Sequence, residues 1–196
     1  MIDWILQVDR AWFLALNGSW GAGWDVFFYV MSGKSTWIPL YLLIIWLIYR
    51  KYGWRHTLWA VVFMGLMVVA VDQVANIFKY GLQKFRPTHT PELAGLVHTV
   101  NGYVGGLYGT VSAHAATCFS IGAFSAALFR SRLYTVLIVL WAVVVSYSRI
   151  YLGVHFPLDI LLGTIDGLLG AWLFLWIFRK AVPRPETRPA AAAPGN

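Results

Sequence analysis

Long apolar stretches separated by short polar and basic clusters dominate the chain, and five of them have membrane-crossing character. A span needs roughly 20 mainly apolar residues, because backbone polar groups must pair internally in hydrocarbon. The first stretch, about 36–49, is short unless the apolar run at 26–31 leads into it, and the second, 56–78, is interrupted only by Asp72, Gln73 and Asn76. The others cover about 112–129, 133–147 and 157–178. The pattern predicts an all-α, polytopic transmembrane helix bundle of about five spans.

Residues 4–17 read differently. They alternate Trp, Leu and Ile with Asp9 and Arg10, carry no basic leader or small-residue cleavage site, and run into Asn17-Gly18. An N-terminal interfacial amphipathic helix suits them. The third stretch holds Ala115, Ala116, Ser120, Gly122, Ala123 and Ala126; small residues let helix backbones approach closely in lipid, so this helix is expected at the centre of the bundle. A single membrane domain is predicted over 1–182, with a low-complexity, disordered tail at 183–196.

Composition strengthens the membrane reading: 59% of residues are apolar and only 12% charged, against about 45–50% apolar in soluble domains. Nine of the fifteen Lys and Arg collect at 50–55, 130–132 and in the tail from Arg179. With five spans these segments share one side, cytoplasmic by the positive-inside rule. The N-terminus, the loop 79–111 and the turn 148–156 then face outward. Eleven Trp and ten Tyr, many near span ends, fit an interfacial aromatic belt. Cys118 is the sole cysteine and excludes an intramolecular disulfide.

Three polar clusters on the outward face carry candidate chemistry. Lys79 and Arg86, seven residues apart, face one point if their helix continues through both. Ser112 is a natural N-cap whose following amides, at Ala113 and His114, favour an anion. Arg149 ends the fourth stretch, and Pro157 suits the first position of the next helix. Asp159 would then lie in the first turn, where its carboxylate can hold one ring nitrogen of His155 and leave the other as an unprotonated nucleophile.

These residues resemble the type 2 phosphatidic acid phosphatase superfamily. Its motifs Lys-x6-Arg-Pro and Ser-Arg-x5-His-x3-Asp are matched fully at Lys79, Arg86 and Pro87 and at Ser148, Arg149, His155 and Asp159. Pro-Ser-Gly-His is matched only at Ser112 and His114, with Val111 and Ala113 replacing proline and glycine. Membrane members often have six spans, where five are counted here. The resemblance implies a phosphatase in a bacterial inner membrane, its site facing the periplasm or exterior and its C-terminus cytoplasmic. His155 would attack phosphorus to give a phosphohistidine, Asp159 would stabilise the imidazolium, and His114 would protonate the leaving oxygen and then activate water. Lys79, Arg86, Arg149, Ser112 and the Ala113 amide would hold the phosphate oxygens.

The expected partner is a phosphorylated membrane lipid: lipid A, undecaprenyl pyrophosphate, phosphatidylglycerophosphate or phosphatidic acid. The short interfacial helix and the run Ser32 to Pro39 resemble bacterial members acting on the first two. No cofactor, metal or nucleic acid is expected, and His89, His98 and Glu92 lack metal-ligand spacing. Lys84 is read as a further anion ligand, Asp72 as a partner of Lys79 or a neighbouring helix, Asp166 as structural, and the loop 88–110 as a flexible gate. Two alternatives stand: a lipid phosphotransferase using the same histidine, and a non-catalytic anionic-lipid binding or transport protein.

Overall fold

The computed structural model describes residues 2–183; the predicted disordered tail lies outside the described residues save for Pro183. Among the described residues seven α-helices follow one another: α1 (Ile2–Leu16), α2 (Ala22–Met31), α3 (Ile38–Tyr52), α4 (Trp54–Leu82), α5 (Ala113–Phe129), α6 (Arg132–Tyr151) and α7 (Pro157–Ala181). Among the described residues no strand forms, only an isolated bridge between Phe85 and Tyr108.

Helices stand at all five predicted stretches. By length and hydropathy α4, α6 and α7 can each cross a membrane, and α2 with α3, bent by 74° at their break, would make a fourth span as one unit. With 17 residues, α5 is about 25 Å long, and its ends depend on its neighbours. Exposed Leu58, Trp59, Leu66, Val69 and Ile77 on α4 and Leu161, Leu168 and Trp172 on α7 give the bundle an apolar exterior, as lipid contact requires.

The small residues of α5 have the predicted effect: it packs on α3, α4, α6 and, most extensively, α7. The counterpart on α7 is a Gly-x3-Gly pair. A Cβ at Gly163 would run into the carbonyl oxygen of Ser112, and one at Gly167 into that of Ala116. Only glycine permits this approach, the small-residue packing of membrane helices.

The two ends of the bundle differ. At one, Lys51 Nζ donates to the carbonyls of Leu128 (3.1 Å) and Phe129 (2.8 Å), left open where α5 ends, and His56 packs edge-on against Phe178. The basic segments around Lys51, Arg130 and Arg179 therefore gather there, as the charge pattern predicted, and a cation suits a helix C-terminus. At the other end α1 lies across the starts of α7 and the loops. Its C-cap Asn17 donates through Nδ2 to the carbonyls of His98, Ile150 and Tyr151 and accepts the His98 amide through Oδ1 at 2.7 Å. Phe13, fully buried, meets Phe156 edge-to-face at 5.3 Å. Trp4, Trp12 and Leu16 remain exposed on α1, while Asp9, Phe13 and Asn17 are buried.

Candidate active site

The stretch from Arg149 to Asp159 folds as its spacing predicts. Helix α6 carries Arg149 in its last turn, Gly153 turns the chain at φ +73°, and Pro157 opens α7. Asp159 sits in the first turn of α7, fully buried, and its Oδ2 accepts the Phe156 amide at 3.0 Å, closing the helix start. The same oxygen lies 3.3 Å from Nδ1 of His155. An anionic acceptor there puts the ring proton on Nδ1 and leaves the Nε2 lone pair free.

His155 is buried, with 3% of its surface exposed. Burial first, and then the positive charges of Arg86, Arg149, Lys84 and Lys79, hold its pKa well below the ordinary 6.5. Both influences disfavour the imidazolium, so the ring is held neutral at physiological pH.

Arg149 is 97% buried, and its guanidinium bridges Ser32 Oγ through Nη1 and Tyr103 Oη through Nη2 at 3.1 Å. Its Nε has no hydrogen-bond partner among the described residues. Arg86 is fixed from the loop side: its amide donates to the Leu107 carbonyl at 3.1 Å and its Nε to that of Tyr108 at 2.9 Å. Gly109 passes between Arg86 and His155, where a Cβ would come within 2.9 Å of Arg86 Cγ and 3.4 Å of His155 Cε1.

Ser112 caps α5, its Oγ accepting the Ala115 amide at 3.4 Å. The first intrahelical bond runs from Ala116 to Ser112, so the Ala113 and His114 amides precede it, the usual orphan donors of a helix start. His114 lies within electrostatic reach of His155, Arg149 and Lys34. Beside it a cavity of about 420 Å³ is walled by Trp37, Tyr41 and Val68, with Lys34, Asp72 and Gln73 among its charged and polar members.

Several expectations are corrected. Helix α4 ends at Leu82, with Gln83 left-handed at φ 48°, so no continuous helix presents Lys79 and Arg86 on one face. Lys79 stays in the last turn, its Nζ 5.0 Å from the Tyr80 ring centroid, and its charge acts on His155 without touching it. Lys84 binds two carboxylates, Asp159 Oδ1 at 2.9 Å and Asp9 Oδ2 at 3.2 Å. Asp72 accepts from Asn76 Nδ2 at 2.9 Å, not from Lys79. Asp166 Oδ2 is buried without a partner among the described residues. His98 Nε2 sits 3.0 Å from Asp25 Oδ1, and His89 Nδ1 3.1 Å from Thr88 Oγ1. The loop 88–110 is not loose: two 3-10 turns, at Pro87–His89 and Pro91–Leu93, and a bond from Thr88 Oγ1 to the Val104 carbonyl at 2.7 Å fold it over the site.

Sequence reasoning named Asp9 only as part of an interfacial helix. Yet Asp9, 6% exposed, also accepts the Leu158 amide at 2.8 Å through Oδ1. An acid one helical turn before Phe13, on the stripe that ends at Asn17, was the available signal.

Comparison with known proteins agrees with this geometry. The chain is 38% identical over 190 residues to a lipid A 4'-phosphatase of Bacteroides thetaiotaomicron, covering 95% of the chain and 84% of the relative. It is 39% identical over 171 residues to one of Porphyromonas gingivalis, covering 86% and 72%. The fold is that of a transmembrane PAP2-type phosphatidylglycerolphosphate phosphatase of Bacillus subtilis, with a TM-score of 0.69 at 21% identity over 90% of this chain and 87% of that one. The model of the PAP2 superfamily matches residues 56–183, which take in all three polar clusters, and the chain therefore belongs to that superfamily as a membrane lipid phosphatase.

Proposed function

We propose that the chain removes a phosphate from lipid A by double displacement at His155, on the outer face of a bacterial inner membrane. The observation that carries the mechanism is the His155 Nδ1 to Asp159 Oδ2 contact of 3.3 Å in a buried, cation-lined site. Nε2 of His155 attacks phosphorus; a P–N bond forms and the bond to the lipid oxygen breaks, with His114 giving its proton to the departing alcohol. His114 then takes a proton from water, whose oxygen attacks phosphorus, and P–N cleavage releases inorganic phosphate and restores His155. Asp159 stabilises the intervening imidazolium.

Arg149, Arg86, Lys79 and the amides at Ala113 and His114 would face the equatorial oxygens, on which the charge of a loose phosphoryl-transfer transition state lies. The Nε of Arg149, without a partner among the described residues, is a donor suited to such an oxygen. The cavity beside His114 lies where the leaving alcohol would depart, and its aromatic and aliphatic walls suit a lipid. Lipid A is favoured among the candidates because two relatives named for it match most of the chain. The outward orientation is supported by the basic cluster around Lys51 at the opposite end of the bundle.

The test is phosphate release by detergent-purified protein from lipid A, undecaprenyl pyrophosphate, phosphatidylglycerophosphate and phosphatidic acid, with EDTA present and His155→Ala as control. Release from lipid A alone, abolished in the variant and accompanied in the wild type by an acid-labile phosphoenzyme, is expected. Wild-type turnover in His155→Ala would overturn the mechanism, and release from another lipid alone would overturn the substrate.

A further inference from the structure

We propose that Asp9 and Lys84 are positioning residues for the His155–Asp159 pair: Asp9, reaching in from the interfacial helix α1, takes up the charge of Lys84 so that the Asp159 carboxylate remains available to His155. The inference rests on the reading that His155 is the attacking group.

Lys84 Nζ stands between two carboxylates, 2.9 Å from Asp159 Oδ1 and 3.2 Å from Asp9 Oδ2, with the Phe156 ring centroid 4.5 Å away. Both acids are nearly or wholly inaccessible, and the Lys84 side chain is 24% exposed. An ammonium offers three donors, and two of those of Lys84 meet buried carboxylates, so the lysine is committed to Asp159 and Asp9. The two oxygens of Asp159 divide their work: Oδ1 meets Lys84, while Oδ2 meets His155 and the Phe156 amide. Oδ1 of Asp9 holds the Leu158 amide one residue before Asp159. The acid from α1 therefore braces both the lysine and the helix start that carries the catalytic carboxylate.

Charge explains why a second acid is needed. With Asp159 alone, Lys84 would cancel the carboxylate, and an imidazolium forming on His155 would face a neutral pair. With Asp9 present, the three groups sum to one negative charge beside the ring. The other charged or titratable groups facing His155 are Arg86 from the loop, Arg149 from α6, Lys79 from α4 and His114 from α5, and none of these is an acid. Arg10 and Glu92, which line the pocket around Lys84, pair with each other at 3.9 Å. The stabilising negative charge next to His155 thus comes from Asp159 with Asp9 behind it.

The experiment compares wild type, Asp9→Asn, Lys84→Met and the double variant, measuring kcat, KM and the acid limb of kcat/KM with lipid A as the probe. The limb reports the free enzyme's base. Asp9→Asn should lower kcat about tenfold with KM nearly unchanged and move the limb down by roughly one pH unit, the scale of one unit charge lost near the imidazole. Lys84→Met should move the limb up by a similar amount, and the double variant, which restores one negative charge, should return it towards wild type. A purely structural tether gives additive losses and an unmoved limb, which would overturn the proposal. If Asp9→Asn does not purify folded, Lys84→Met alone decides, since an unmoved limb there is equally fatal. A failure of the histidine reading is separate, because it shows as retained turnover in His155→Ala.

Discussion

The backbone amide of Ser112 donates to the carbonyl oxygen of Asp159 at 2.9 Å. One bond thereby joins the start of α5, with its anion-seeking amides, to the start of α7, with the acid that orients His155. Gly163 sits one turn below on α7, against the Ser112 carbonyl. The separation of the two helix starts is therefore fixed by the absence of a side chain at one position.

Gly163→Ala should push α5 from α7 and stretch that bond. Overpacking of a tight contact costs about 1–3 kcal/mol, so a fall in thermal midpoint is expected together with a loss of turnover of at least tenfold. Thermal unfolding in detergent and phosphate release from lipid A check it; an alanine variant with wild-type turnover would show that the two helix starts tolerate separation.

His155 titrates below its ordinary 6.5 because burial and four cations oppose the imidazolium. Above 6.5 the ring is neutral in folded and unfolded chains, and its contribution to stability is complete. Between 6.5 and the lowered folded value the unfolded chain binds more protons, so stability falls as pH falls through that window. Activity follows the same sign: the acid limb of kcat/KM should lie below pH 6.5 once the titration of the substrate phosphate is divided out. A limb at or above 6.5 would contradict the environment described.

Tyr103 holds Nη2 of Arg149 at 3.1 Å, and the ring lies 5.6 Å from the guanidinium carbon. Tyr103→Phe keeps the ring and removes the hydroxyl, so the arginine loses one anchor and stays buried. A rise in KM of a few fold, with kcat changed less, is expected from the loss of one hydrogen bond to a charged group. Arg149→Ala, by contrast, should lower kcat by orders of magnitude and raise KM.

Lys51 provides a control far from the chemistry. Lys51→Met removes two donors from the carbonyls that end α5, at a cost of about 1 kcal/mol. The thermal midpoint should drop while kcat and KM for lipid A stay as in the wild type. Altered kinetics would mean that the two ends of α5 are coupled.

The legible parts of the fold and site were those written locally. Apolar runs gave the helices, because hydrocarbon leaves the backbone few alternatives. The pairing of His155 with Asp159 was legible because Pro157 starts a helix and places an acid four residues on, against the ring. Central α5 followed from its alanines and serines. The bond from Lys84 to Asp9 was not legible: it spans 75 residues and joins a loop to a helix whose amphipathic pattern explains only its lipid face. The Gly163–Gly167 pair was present as a signal, five positions of an apolar stretch with glycine at each end, but the pattern alone does not say which helix it meets. Neither does the sequence announce that α4 stops at Leu82, since Gln83 adopts a left-handed conformation that a glycine would have advertised.

That stop changes what the interval from Lys79 to Arg86 measures. It is a contour length, part helix end and part hook, and not two turns of a cylinder. Inserting a single residue after Gln83 would lengthen the hook and carry Arg86 past the Leu107 and Tyr108 carbonyls that seat it, and adding three or four to restore helical phase would make matters worse. The spacing of the two cations behaves as a ruler laid around a corner, and only insertions on the helical side of Leu82 would obey the arithmetic of 3.6 residues per turn.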